Sequence, residues 1–396
     1  MTQFSDLIAK ASRDWKAPKM MDWKSNAQGA KLPFSSPLMN WATYGGIPRN
    51  KITEFFGDYG SGKSTTCMDL CKNAINIFQQ EWEDQLVELR ESNSKEDKLL
   101  LAELEETGPR KVLYVDLEHS FDAKWADTIG IDTDALYVMQ PPDTPAEQIL
   151  ELVKGLVESN EAGLIILDSL PSLVTEAQLN KKFGERTVAS LAGLLTDFSR
   201  KMVPLLTRYS TTLVLINQIR ENMDNPYVVK TPGGKAVPFY CSLRIQCMLG
   251  NPIDISGKEL PQKTEDPAGY LMKVRIHKQK SARNDRRNAS YYLMCDGGIR
   301  PDIDYAQLAI NKYGIIRKSG AWFTVCDPYT GEILEEGDKS VKLNGVLAVY
   351  DYLNTHPDYF SELRRYIEDD ISGIEPEPEE YEDDVVESDS EEEVNE

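Results

Sequence analysis

Short apolar runs alternate along this chain with stretches of helical periodicity. Residues 52–56, 111–118, 136–139, 163–168 and 211–217 are near-continuous in Val, Ile, Leu, Phe and Tyr and read as buried strands. Between them, residues 64–71 open a helix and 187–208 form a long one. Residues 146–157 turn Ile149, Leu150, Leu152, Val153, Leu156 and Val157 toward one side. Strands apolar on both faces, separated by helices, predict a parallel sheet covered on both sides. From Leu243 onward the pattern becomes strict alternation, in 243–247, 271–276 and 290–294, which predicts antiparallel strands extending one edge.

The flanks carry less signal. Phe4, Leu7, Ile8, Ala11 and Trp15 share one helical face that needs cover, either from the chain's own core or from a neighbouring subunit. Residues 16–34 read as a linker. A charged stretch, 81–107, reads as two solvated helices broken near Ser92-Asn93-Ser94 and stopped by Gly108-Pro109. Residues 304–367 read as short helices around Gly320-Ala321-Trp322-Phe323. The expected organisation is therefore 1–34, an N-terminal helix and linker making a subunit contact; 35–300, the α/β core with its insertion; 301–367, a small C-terminal lobe; and 368–396, an acidic tail.

The net charge of −21 changes the picture only through its distribution. Sixteen acidic residues and no base lie in 368–396, leaving 49 acids against 44 bases elsewhere. Such a tail repels itself and has little to bury, so disorder is expected; it either aids solubility or competes with DNA for a basic groove. The six cysteines form no C-x-x-C pair and read as structural thiols in a reducing compartment. No run spans a bilayer and no secretion signal opens the chain, which points to the cytoplasm, with no membrane partner.

Chemistry is concentrated at Gly57-Asp58-Tyr59-Gly60-Ser61-Gly62-Lys63-Ser64, which fits G-x-x-x-x-G-K-[ST] between a strand and a helix. Glycines let backbone N–H groups converge on one anion, and the helix N-terminus adds favourable partial charge. Lys63 is placed to reach the β- and γ-phosphates of a nucleoside triphosphate and Ser64 to offer its hydroxyl to Mg²⁺. Ligands of parallel sheets sit at the strands' carboxyl ends, where Glu118, Asp168 and Gln218 also fall. Asp168 suits a Mg²⁺ ligand or, alternatively, a helix cap. Glu118 is the candidate general base for an attacking water, and Gln218 a donor to the γ-phosphate. Two loops follow these strands: 171–186, with Lys181, Lys182, Phe183 and Arg186, and 220–236, with Arg220, Tyr227, Lys230, Gly233, Gly234 and Lys235. Bases with an aromatic suit single-stranded nucleic acid, although ordinary solvated loops read the same way.

Taken together, residues 57–64, Val115-Asp116-Leu117-Glu118-His119-Ser120-Phe121-Asp122, Leu167-Asp168-Ser169, Asn217-Gln218-Ile219-Arg220, Gly233-Gly234 and His277-Lys278-Gln279-Lys280 resemble, in order, the motifs of the RecA recombinase family, and within it the phage UvsX type. The resemblance covers roughly residues 35–325. It implies a RecA-like P-loop ATPase core using ATP and Mg²⁺, in which Glu118 positions water, Asp168 serves Mg²⁺ and Gln218 senses the γ-phosphate. It further implies that Thr65 extends the nucleotide site, that Asp122 and Trp125 border the adenine, and that the two loops bind DNA. Lys278 and Lys280 resemble a pair reaching the γ-phosphate of the adjacent protomer; as residues they also fit a plain basic surface run. The implied activity is DNA-dependent ATP hydrolysis coupled to filament formation on single-stranded DNA, homologous pairing and strand exchange. Implied partners are single- and double-stranded DNA, further copies of the chain in a helical homopolymer, a single-strand-binding protein and a recombinase loader, near the nucleoid or, for a phage protein, in the host cytoplasm. A hexameric helicase on the same core and a non-exchanging ATP-binding mediator are the alternatives.

Overall fold

The computed structural model describes residues 31–92, 94–182, 190–219 and 231–376. The stretch 4–15, Phe183, Arg186, Arg220, Tyr227, Lys230 and the run 377–396 lie outside the described residues. The chain forms two compact units, one through Leu308 and the other from Ala309.

In the first unit a short ribbon of β1 (Lys31–Leu32) and β2 (Ile47–Pro48) brackets helix α1 (Pro37–Thr43), which is capped by Ser36 Oγ accepting from Met39 N. The apolar runs then become β3 (Ile52–Gly57), β4 (Lys111–Asp116), β5 (Leu136–Met139), β6 (Ala162–Asp168) and β7 (Thr212–Gln218). Alternating strands follow as β8 (Leu243–Ile253), β9 (Gly269–Gln279), β10 (Asn288–Met294) and β11 (Gly298–Ile299). All nine of β3–β11 join one sheet in the order β11-β10-β9-β8-β3-β7-β6-β4-β5.

Period-two alternation sorts the sheet's side chains into two cores. Val112, Tyr114, Leu164, Ile166, Val214 and Ile216 face one, packed by Cys67, Leu70, Cys71, Ala74 and Phe78 of helix α2 (Lys63–Glu91). Leu113, Val115, Ile165, Leu167, Leu213 and Leu215 face the other, against Ile149, Leu150 and Val153, and Leu195, Phe198 and Met202. Helix α3 (Lys95–Thr107) follows α2, and α4 (Ala123–Thr128) lies between β4 and β5. The second core's helices are α5 (Ala146–Glu158) and α7 (Ser190–Arg208); α6 (Glu176–Leu179) and α8 (Ala236–Tyr240) are short, and α9 (Pro301–Leu308) closes the unit.

Six features differ from the sequence expectation. Residues 31–34, expected in a linker, begin the first unit, pairing with Ile47–Pro48 and burying Leu32 and Phe34 in the first core. Residues 368–372, expected in a disordered acidic tail, are the last turn of a helix in the second unit that buries Ile371. β8 pairs parallel to β3 on one side and antiparallel to β9 on the other, so the antiparallel extension begins at β9. β5 is last in the sheet order among the described residues, with Tyr137 and Val138 exposed. Leu152 of α5 points to solvent. The first half of the charged stretch is no separate helix: α2 runs unbroken for 29 residues, about 43 Å. Its last turns pair with α3 through Trp82 Nε1 donating to Leu104 O (2.8 Å) and an Arg90–Glu105 ion pair.

The second unit also departs from expectation. β12 (Ile316–Ser319), β13 (Trp322–Val325) and β16 (Lys342–Asn344) form a three-stranded antiparallel sheet, with β14 (Glu335–Glu336) and β15 (Lys339–Ser340) as a small hairpin. Helices α10 (Val346–Thr355) and α11 (Pro357–Ser372) accompany them. Helical periodicity is a poor guide where strands are only two to four residues long.

Phe78 is the largest α2 side chain buried against the sheet. Phe78→Ala is expected to cost about 3–5 kcal/mol through lost transfer energy and a residual cavity. Urea unfolding checks this, and a loss below ~1 kcal/mol would show that Phe78 does not tie α2 to the sheet.

Candidate active site

Strand register assembles the site. Gly57 lies beside Gln218, Asp116 beside Asp168, and Leu167 beside Leu215, so β3, β7, β6 and β4 end together. Every strand here points the same way, and the polar residues that follow each apolar run are therefore delivered to one rim.

The phosphate-type loop starts where β3 meets β8. A Cβ at Gly57 would fall 2.2 Å from Cys247 O, so no side chain fits there. Gly62 adopts φ +73° as the residue before α2, with Met272 closing against it from β9. No side chain caps the N-terminus of α2, which leaves its first-turn N–H groups for an anion. Beneath the loop, Thr66 Oγ1 donates to Gly62 O (2.7 Å) and pairs with the buried Tyr291 hydroxyl from β10. Lys63 is buried, and its Nζ donates to Asp58 O at 2.7 Å. Ser61 Oγ donates to the same carbonyl at 2.6 Å, while Tyr59 projects into solvent.

Three carboxylates face this loop. Asp168 is buried, and its Oδ2 accepts from Ser64 Oγ (2.7 Å) and Tyr114 OH. Burial raises its pKa above the ordinary aspartate value; the Ser64 and Tyr114 donors oppose that, and the charges of Glu118 and Asp116 add to it. Among the described residues Asp168 forms no ion pair. The Asp168 carboxylate and the Ser64 hydroxyl are hard oxygen donors of the kind a divalent cation takes, while among the described residues no group of three or more His, Cys, Asp or Glu side chains is placed to hold one. Ser64 and Asp168 would hold Mg²⁺, which would neutralise charge on the phosphate oxygens. Glu118 is exposed; its Oε1 accepts from Ser169 Oγ and from Gln218 Nε2 (3.1 Å). Asp116 is buried and shapes the intervening turn, accepting from Glu118 N (3.2 Å), Phe121 N (2.8 Å) and Gln140 Nε2 (2.9 Å).

Other expected site residues lie around this centre. Asp122 caps α4, its Oδ1 accepting from Lys124 N (2.9 Å) and Trp125 N (3.2 Å); Trp125 is half-buried against the first core. Thr65 is in the first turn of α2, half-buried. Lys181 and Lys182 are exposed just after α6, and Gly233, Gly234 and Lys235 lead into α8. Lys278 Nζ donates to Pro238 O and Phe239 O, both at 2.7 Å, and Lys278 and Lys280 lie 5.9 and 5.7 Å from the centre of the exposed Phe239 ring. Burial lowers the pKa of Lys278, and the charge of Lys280 lowers it further. These two cations, at and just past the C-terminal end of β9, are thus gathered at α8, and an anion placed between them would relieve their repulsion.

Comparison with known proteins is direct. The RecA N-terminal domain model matches residues 91–300. Protein RecA of Aquifex pyrophilus is 30% identical over 348 residues, covering 87% of this chain and 83% of that protein. Protein RecA of Frankia casuarinae is 30% identical over 334 residues, covering 84% and 81%. The chain belongs to the RecA family. Its matched domain begins after the phosphate loop, so the loop's geometry and the RecA domain match are separate observations pointing the same way.

In this RecA-family site, sequence reasoning missed Tyr114, Asp116 and Ser169 as structural partners of the carboxylates. Ser169 directly follows Asp168, and Asp116 ends an apolar run as Asp168 does; both had a positional signal. Tyr114 had none, because only the β4–β6 pairing puts its hydroxyl on Asp168.

Asp168→Asn keeps an acceptor for Ser64 and Tyr114 and removes the charge. The raised folded-state value means that ionising Asp168 costs stability as pH rises from about 4. Without Mg²⁺ at neutral pH the variant is expected to resist urea as well as or better than wild type, with the difference vanishing on acidification. Its Mg²⁺-dependent nucleotide affinity should fall about tenfold or more by calorimetry. Unchanged Mg²⁺ dependence would remove Asp168 from metal binding.

Proposed function

We propose that this chain is an ATP-dependent recombinase that assembles as a helical filament on single-stranded DNA and promotes homologous pairing and strand exchange, hydrolysing ATP when DNA is bound. RecA-family membership supports a recombination and repair role with DNA-dependent ATPase activity. The observation that carries the reading to this chain is the hydrogen bond between Glu118 and Gln218. It joins the carboxylate suited to activate water to the last residue of β7, from which the segment 220–236 departs.

In this mechanism the N–H groups of residues 57–64 and Lys63 hold the β- and γ-phosphates. Glu118, oriented by Ser169, aligns a water and takes its proton as the γ-phosphoryl group leaves. Gln218 then exchanges its contact between Glu118 and the γ-phosphate, so the nucleotide state alters the root of 220–236. Lys278 and Lys280 act in the neighbouring protomer's site, where two cations stabilise charge on the transferred group. Asp122 and Trp125 border the base. Lys181, Lys182 and Lys235, with Gly233 and Gly234, belong to the DNA-binding loops, together with Phe183, Arg186, Arg220, Tyr227 and Lys230.

The remaining assignments belong to the same proposal. The part of the expected 1–34 segment that precedes β1 contacts a neighbouring subunit, the acid-rich run that follows α11 competes with DNA, and a single-strand-binding protein and a loader act with the filament in the cytoplasm. The phage UvsX type is its finer form, supported by the order and identity of the motifs quoted above. Among the described residues no helix is long and apolar enough to cross a membrane.

Two measurements test this reading. Glu118→Gln retains an acceptor for Ser169 but cannot take a proton, so turnover should fall about 10²- to 10⁴-fold with nucleotide affinity retained. A normal rate of phosphate release would take Glu118 out of the mechanism. Electron microscopy with single-stranded DNA and a slowly hydrolysed ATP analogue should show helical filaments. Closed rings would favour a helicase, and isolated monomers a mediator.

A further inference from the structure

Three consecutive residues at the end of β7 each touch a different part of the site. Ile219 N donates to Gly57 O, the first residue of the phosphate loop, at 3.2 Å. Gln218 reaches Glu118. Asn217, fully buried, turns the opposite way and occupies the centre of a polar cluster beneath the rim. Its Nδ2 donates to Glu54 Oε1 (2.9 Å) on β3 and to Pro232 O (3.0 Å), where the chain returns toward Gly233. Its Oδ1 accepts from Gln218 N at 3.0 Å.

The amide orientation is determined by its partners. Flipping it would set Oδ1 against a carboxylate and a carbonyl, and Nδ2 against an N–H, so all three bonds fail together. Glu54 is fully buried, and its other oxygen accepts from Arg244 Nε on β8; that guanidinium lies 4.6 Å from the centre of the Phe56 ring. A buried ion pair of this kind adds little net stability, because desolvation offsets attraction. What it does is fix the carboxylate that fixes Asn217.

We propose that Asn217, held by the Glu54–Arg244 pair, is the positioning residue that couples Gln218 to Pro232, and so joins both ends of the intervening DNA-binding segment to the nucleotide site. The proposal rests on the ATP-gated reading above. A shift of the Gln218 backbone cannot occur without rotating the Asn217 amide or dragging Pro232 with it, because a packed interior offers discrete arrangements rather than gradual ones. Asp cannot replace Asn here: as a carboxylate it has no donor and would face Glu54.

The test measures affinity for a fluorescent oligothymidylate with and without a slowly hydrolysed ATP analogue, in full-length wild type, Asn217→Ala and Glu54→Gln. In Asn217→Ala the nucleotide-linked gain in DNA affinity should fall about tenfold, while affinity for the analogue itself is retained. Glu54→Gln keeps an oxygen for Asn217 but releases Arg244, and should lose part of the same gain; if Asn217→Ala does not fold, this variant decides alone. A gain equal to wild type in the folded variants overturns the joint. So does an equal loss of DNA affinity with and without the analogue, which is what a merely structural role produces. Wild-type protein with no nucleotide-linked gain overturns the ATP-gated reading itself and takes the joint with it.

Discussion

Everything at this site depends on three carboxylates forced together at the end of a parallel sheet. Register sets Asp116 beside Asp168, and Glu118 follows two residues later on the same rim. Burial raises the pKa of Asp168, and the charges of Glu118 and Asp116 add to that. The fold tolerates them by surrounding each with donors: Ser64 and Tyr114 for Asp168, backbone N–H groups and Gln140 for Asp116, Ser169 and Gln218 for Glu118. Hydroxyls and amides can exchange partners when a cation or a phosphate arrives, whereas Lys or Arg at these positions would neutralise the site permanently. A rim built of acids and neutral donors suits the ATP and Mg²⁺ that RecA-family proteins bind in general.

The rim is supported from two sides. α2 starts directly at the loop and runs into the first core, so its N-terminal N–H groups cannot drift. Met272 and Tyr291 of the antiparallel extension press on Gly62 and Thr66 from the far side. The extension thereby serves two ends: it buttresses the phosphate loop, and it carries Lys278 and Lys280 away from that loop to α8.

Polar groups buried elsewhere follow the same logic of satisfied networks. Glu54, Asn217 and Arg244 would each be costly alone, and together they leave few unpaired groups. Asp304, also fully buried, is an exception: its Oδ2 accepts from Ser36 at the start of α1, its Oδ1 has no hydrogen-bond partner among the described residues, and burial holds its pKa well above the usual range.

The sequence by itself determined the class of fold and put Gly57, Asp168 and Gln218 at strand ends. Aliphatic runs ending in Gly57, Asp168 and Gln218 specify parallel strands and the polar residue at the mouth of each, because period and composition are local properties. The phosphate loop was legible for the same reason: its glycines and lysine are adjacent in the chain. Tertiary structure alone decided which groups share a hydrogen bond. Tyr114 with Asp168, Tyr291 with Thr66 and Asn217 with Pro232 are separated by 54, 225 and 15 positions, and only strand order and register bring them together. It also decided that β8 is parallel on one side, that β5 is last in the sheet order among the described residues, and that the C-terminal unit has a sheet where helices were expected, since pairing partners are not written in any one segment.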